Sequence, residues 1–169
     1  MKMPCIGDIE ASGLALNSYP VEVGWSLPNG EIRSRLVRTD VSWGNFWDPN
    51  AEALHRISRE MLRTDGVASS DIAKEINRDL AGETLYFDGS DFDLNWLNKL
   101  FDAAKAQPTF RFGDFNALLA EAGVRDGSRR LASGIRARED IGDLPLHRAA
   151  HDVQFLQRWY IRARGGMRY

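Results

Sequence analysis

Apolar positions recur every second residue through the opening of the chain and every third or fourth residue further on. The first pattern is that of strands, the second that of helices packed on one face. "MPCIGDIEA" (3–11) reads as a strand and "SGLALNS" (12–18) as a loop. "YPVEVGWSL" (19–27) and "EIRSRLVRTD" (31–40) read as two more strands, joined by "PNG". Asn29-Gly30 between two strand-like runs is tight-turn chemistry, so the three strands form an antiparallel meander. Residues 41–48 read as irregular and 49–56 as a short helix. In "SSDIAKEINRDLAG" (69–82), Ile72, Ile76 and Leu80 are spaced by four, Ser69 or Ser70 offers a cap, and Gly82 follows the end. "ETLYFDG" (83–89) predicts a fourth strand and "PTFRFGD" (108–114) a fifth. Between them "DFDLNWLNKLFDAAKA" (91–106) predicts a helix with Leu94, Leu97 and Phe101 on one stripe. "FNALLAEAG" predicts a helix ending at Gly123, and a basic, helix-tolerant stretch follows. The last helix is predicted from near Pro145 to about Arg164, with Ala149, Val153, Leu156 and Tyr160 as its apolar stripe. A meander followed by strand–helix alternation predicts an α/β fold with a mixed sheet and helices on its faces.

The length, 169 residues, fits a single domain over 1–169. No apolar run approaches a membrane span, and the N-terminal stretch lacks the pattern of a secretory signal. The single cysteine, Cys5, lies inside the first apolar run, where it reads as a small buried hydrophobe rather than a nucleophile. With no intrachain disulfide available, a reduced, cytoplasmic setting is expected. The net charge of −2 hides an asymmetry: residues 125–169 hold ten Arg, no Lys and five acids. Arginine's planar fork suits a polyanionic partner. A solvated face, drawn from a chain that uses 18 Arg against 4 Lys, is the plainer alternative.

The acids in "GDIEASG" change the picture. Residues two apart on a strand face the same way, so Asp8 and Glu10 stand side by side. Two carboxylates about 4 Å apart repel by roughly 4 kcal/mol at an effective dielectric near 20. A proton, an arginine or a divalent metal must offset that, unless the strand end is simply solvated. Two other places carry candidate chemistry: "DGSDFDLNWL", with Asp88, Asp91 and Asp93, and "PLHRAAHDVQFL", with His147, His151 and Asp152. If strand four lies parallel beside strand one, the first two places meet at the strand ends, where α/β sites collect.

In this order the motifs resemble the DnaQ-like (DEDD) 3′→5′ exonucleases in their His-bearing (DEDDh) subclass. "DIE" supplies Asp8 and Glu10, "FDLNWL" supplies Asp93, and "HRAAHD" supplies His147 and Asp152. "LHRIS" (54–58) is similar to the family's His-Gly-Ile-Ser/Thr element, with Arg56 in place of glycine. The resemblance covers about residues 4–163. It implies a ribonuclease-H-like fold, an antiparallel start of three strands plus two parallel ones, and helices on both faces. It implies hydrolysis of phosphodiester bonds at the 3′ end of single-stranded RNA or DNA, releasing nucleoside 5′-monophosphates. Two divalent ions, Mg²⁺ or Mn²⁺, would be held by Asp8, Glu10, Asp93 and Asp152, with His147 as general base. Ala11, Ser12, Gly13 and Leu14 would line the pocket of the 3′ nucleotide, and His55 would contact its sugar or phosphate. A homodimer is a partner state common among short exonucleases of this type.

Spacing adds one constraint. Residues five apart on a helix lie about 140° from each other, so His147 and Asp152 cannot share a face. His147 must sit in the first turn or the loop before it. His147 and His151, four apart, form the rival zinc-type pair. Asp93, Asp91 and Asp88 could each serve instead as a helix N-terminal acid. Trp96 reads as core, while Trp43, Phe46 and Trp47 could stack on bases. A non-catalytic nucleic-acid-binding relative and a phosphodiesterase for very short oligonucleotides remain as alternative functions.

Overall fold

The structure, a computed structural model, describes residues 2–88 and 91–165. Five strands form one mixed sheet: β1 (Cys5–Ala11), β2 (Pro20–Ser26), β3 (Ile32–Leu36), β4 (Thr84–Phe87) and β5 (Arg111–Asp114). Their order across the sheet is β3-β2-β1-β4-β5. The first three pair antiparallel, while β4 runs parallel to β1 and β5 parallel to β4. This is the ribonuclease-H-like arrangement. The fourth expected strand ends two residues early, at Phe87; Gly89 lies outside the described residues.

Alternation along β1 divides the protein into two layers. Cys5, Ile9 and Ala11 face α3 (Ser69–Leu80) and α4 (Asp91–Ala103), with Ile72, Ile76, Leu97 and Leu100 completing that core. Ile6 faces the opposite layer, built by α5 (Phe115–Glu121) and α7 (Ala149–Gly165) around Phe115, Val153 and Leu156. Asp8 and Glu10 share the face of Ile6, so the acids look toward α7. A smaller cluster of Tyr19, Val21, Ile57 and Leu62 closes the sheet edge near α1 (Pro49–His55) and α2 (Arg59–Thr64). The basic stretch forms α6 (Gly127–Ile141), packed on α7.

Three local expectations are corrected. Ala68, not Ser69 or Ser70, occupies the N-cap of α3, with extended backbone and no side-chain cap bond. The helix phase is set by burying Ile72, Ala73, Ile76 and Leu80, which turns Ser69 inward. The stripe of α4 is Trp96, Leu97, Leu100 and Phe101; Leu94 is exposed. The last helix begins at Ala149 rather than near Pro145, because His147 takes a left-handed conformation (φ 65°) that interrupts the helix.

Candidate active site

The carboxylates of Asp8, Glu10 and Asp152 bring ligand oxygens within 4.8 Å of one another. β1 supplies the first two as same-face neighbours. A register shift between Glu10 and Ala11 ends the regular pairing with β2 there, and such bulges commonly re-aim side chains beside sites. α7 supplies Asp152 from its first turn. One oxygen of Asp152 accepts the backbone N–H groups of His147 (2.7 Å) and Arg148 (3.1 Å). Asp152 therefore closes the start of its own helix and fixes the loop before it. The left-handed backbone places His147 outside the helix, as the five-residue spacing demands, and the residue lines the same cleft.

The cleft encloses about 410 Å³ and is walled by Asp8, Glu10, Asp152, His147 and His55 together with Ala11, Gly13 and Leu14. Gly13 is required where it stands: φ is 151°, and a Cβ would come within 2.7 Å of the Phe46 ring. Leu14 stands exposed at the mouth. Ser12 is not brought into the cleft wall. It is buried, and its hydroxyl accepts the Tyr19 N–H at 3.1 Å. His55 is buried at 2% exposure; its Nδ1 accepts the Ile57 N–H at 3.0 Å, and its Nε2 has no hydrogen-bond partner among the described residues. Burial holds the His55 ring below the usual histidine range and favours its neutral form. Asp93 lies buried in the first turn of α4, outside the cluster of converging oxygens, yet near enough to push Asp8 and Glu10 upward.

The electrostatics are those of an acid cluster without enough cations. Burial, then the charges of Asp152, Glu10, Asp93 and Glu22, raise Asp8 well above the carboxylate range. Glu10 is pushed up to about 8, first by burial and then by Asp152 and Glu22. Burial also raises Asp152, while its hydrogen bonds to the His147 and Arg148 amides pull the other way. An all-oxygen set whose members are raised by burial and by one another's charge fits a hard divalent cation. The zinc-type pair fits worse. Neither histidine joins the converging group, and His151 Nδ1 lies 2.7 Å from the Pro145 carbonyl oxygen.

Sequence reasoning missed Glu22 and Arg148. Arg148 donates to Glu22 through Nε (2.9 Å) and Nη2 (2.8 Å), and the Ala149 N–H joins at 2.9 Å. The Glu10↔Glu22 pairing follows from the strand register and was the available signal. Trp96 belongs to the core, stacked on Phe92 with its Nε1 donating to Ser18 at 2.8 Å, and it also edges the cleft. Trp43 and Trp47 pack on Tyr19. Several C-terminal arginines are held by the protein itself: Arg148 by Glu22, Arg162 by Asp140, and Arg130 by Asn116 and the Trp159 ring.

Among solved structures, an exonuclease I described for its processivity aligns at TM-score 0.69, over 93% of this chain and 39% of that one. The fold is that of exonuclease I. Sequence identity to that structure is 14%. The zinc-bound complex of E. coli exonuclease I with single-stranded DNA aligns at TM-score 0.67 with 14% identity, again over 93% and 39%. A product-bound exonuclease I aligns at 0.66 with 11% identity, over 98% and 45%. The chain thus spans less than half the length of these exonuclease I chains, and what it shares with them is the fold. No family model matches the sequence, and no curated protein does. Among the described residues no helix is long and apolar enough to cross a membrane.

Proposed function

We propose that this protein is a metal-dependent 3′→5′ exonuclease that hydrolyses single-stranded RNA or DNA from its 3′ end and releases nucleoside 5′-monophosphates. The observation that carries it is the convergence of Asp8, Glu10 and Asp152 within 4.8 Å in a cleft that also takes the loop-borne His147. Asp8, Glu10 and Asp152 would hold divalent ions, Mg²⁺ or Mn²⁺, with Asp93 acting from outside this group. Such a pair of ions supplies an activated water and a sink for charge on the leaving oxygen. His147 would accept the proton of the attacking water. Asp152 fixes the His147 backbone, so the approach to a bound strand would fall to rotation of the side chain. Ala11, Gly13, Leu14 and His55 form the walls that would receive the terminal nucleotide. Exonuclease I, of the same fold, is seen with bound single-stranded DNA, which supports a single-stranded substrate.

A second reading, a phosphodiesterase for very short oligonucleotides, is favoured by the modest cleft. One experiment separates the two. The purified protein is given 5′-labelled RNA and DNA of two to twenty nucleotides with Mg²⁺, Mn²⁺ or EDTA, beside Asp8→Ala and His147→Ala. The expected result is a metal-dependent ladder descending from the 3′ end, absent in Asp8→Ala and about 100-fold slower in His147→Ala. Cleavage confined to the two- and three-nucleotide substrates selects the second reading. A ladder undiminished in Asp8→Ala defeats both.

A further inference from the structure

Glu22 is a carboxylate placed where another carboxylate is least welcome. The register of β1 and β2 sets it directly opposite Glu10, on the sheet face that already carries Asp8 and Glu10. Its side chain is 3% exposed, so water does little to screen it. The three donors that hold it all come from the amino end of α7: two nitrogens of the Arg148 fork and the Ala149 amide, at 2.8–2.9 Å. Two residues further along the same strand face, Gly24 lets the helix touch the sheet; a Cβ there would lie 2.7 Å from the Ala149 carbonyl carbon. Arg148 is the residue between His147 and that contact. His147 itself is held at φ 65°, a conformation that costs a non-glycine residue energy and persists only when its surroundings impose it.

We infer that the Glu22–Arg148 pair positions the amino end of α7, and through it the His147 loop and the Asp152 carboxylate, for the reaction proposed above. The pair holds the loop from the sheet side, and Asp152 holds it from the helix side through the His147 and Arg148 amides. A bidentate fork resists rotation in a way that a single point charge does not. Glu22 and Arg148 are therefore positioning residues, distinct from the groups that would touch metal or substrate. Two other accounts compete. In one, Arg148 only balances charge beside the acids. In the other, the pair only adds stability. The inference rests on the nuclease reading for its kinetic consequence, but not for its structural one.

The test uses Glu22→Gln, Arg148→Ala and Arg148→Lys in the full chain. For Glu22→Gln and Arg148→Ala, kcat is expected to fall about 10–100-fold with KM within about two-fold, the pattern of misplaced groups rather than lost binding. Arg148→Lys keeps the charge without the fork and is expected to recover less than half of that loss. In metal-free protein, hydrogen exchange at the His147 and Arg148 amides, which bond to Asp152 and not to Glu22, is expected to be at least about 10-fold faster in both variants. Amides in the middle of β1 should keep their wild-type rates. Charge balance alone predicts opposite shifts of Mn²⁺ affinity in Glu22→Gln and Arg148→Ala, with exchange unchanged; that result overturns the inference. So does a lowered melting temperature with kcat and exchange both unaltered, or full rescue by Arg148→Lys. If Arg148→Ala fails to fold, the near-isosteric Glu22→Gln carries the test. If the wild type cleaves no nucleic acid, the nuclease reading falls and the exchange rates still decide the positioning role.

Discussion

Two acid clusters sit on opposite faces of the same sheet, and they are solved in opposite ways. On the α3 side, Asp79 accepts the Trp25 indole N–H at 3.0 Å and the Arg33 guanidinium at 2.8 Å, with Arg78 adding a bond at 3.0 Å. Glu75 beside it takes Arg35 at 2.7 Å. Each carboxylate there has a cation, and the cluster ties β2 and β3 to α3. On the α7 side, Asp8, Glu10 and Asp152 converge and Asp93 and Glu22 add to the field. Among the described residues the fork of Arg148 comes near, and it goes to Glu22. Acids neutralised by arginine hold a fold together. Acids buried without such neutralisation destabilise it, and persist where something outside the chain completes them.

The contrast breaks most visibly at Asp8. Asp8→Asn keeps the shape and removes an acid that burial and its acidic neighbours raise well above its ordinary range. Cleavage is expected to fall by about 10³-fold or more, since several kcal/mol of ion-derived stabilisation goes with it. The metal-free protein is expected to melt higher, by roughly 2–8 °C, because the unfolded chain loses an acid that it ionises more readily than the folded one does. A thermal melt in EDTA beside a cleavage assay checks both. A lower melting temperature would mean that the α7-side acids stabilise the fold after all.

The paired cluster should answer in the reverse sense. Asp79→Asn removes the buried carboxylate that accepts the Trp25 indole and the Arg33 fork, while Arg33 keeps Glu31 and Glu75. The melting temperature is expected to fall by roughly 2–6 °C for a chain of this size, from the lost hydrogen bonds to a buried acceptor. Cleavage per folded molecule should stay within about two-fold. A drop in activity at full folding would show that the two faces of the sheet are coupled.

The motifs that bear the site were legible because their chemistry is local. Asp8 and Glu10 announce themselves by strand alternation, and His147 by a spacing that no helix can satisfy. The left-handed backbone at His147 is the physical form of that mismatch. The antiparallel start was legible because Asn29-Gly30 fixes the hairpin, while the two parallel strands were implied by the family resemblance. Glu22 was legible only through the register that pairs it with Glu10. Its burial comes from tertiary packing, where α7 docks on Gly24 and the Ala149 amide reaches Glu22. Ser69 misled for a related reason, since tertiary burial of Ile72 and Ile76 overrode the local capping preference. Ser12 looked like part of a binding loop, but its hydroxyl is spent holding the Tyr19 amide.

The smallest expected effect sharpens the comparison through pH. Burial raises Asp8, Glu10 and Asp152, with Glu10 up to about 8. An acid raised in the folded state keeps its proton there when the unfolded chain has already released it. Between the ordinary carboxylate range and about pH 8 the folded state therefore binds more protons, and stability falls as pH rises. Without metal, the melting temperature is expected to drop by roughly 5 °C from pH 6 to pH 8.5. Saturating Mg²⁺ or Mn²⁺ should flatten that slope, because ligation requires the same carboxylates to lose their protons and supplies the missing positive charge. Asp8→Asn should shrink the metal-free slope, since it removes one of the groups that titrates. Melts at matched ionic strength, with and without the ion, measure it. A slope of opposite sign, or one that the ion leaves unchanged, would place the protons elsewhere than on the α7-side acids.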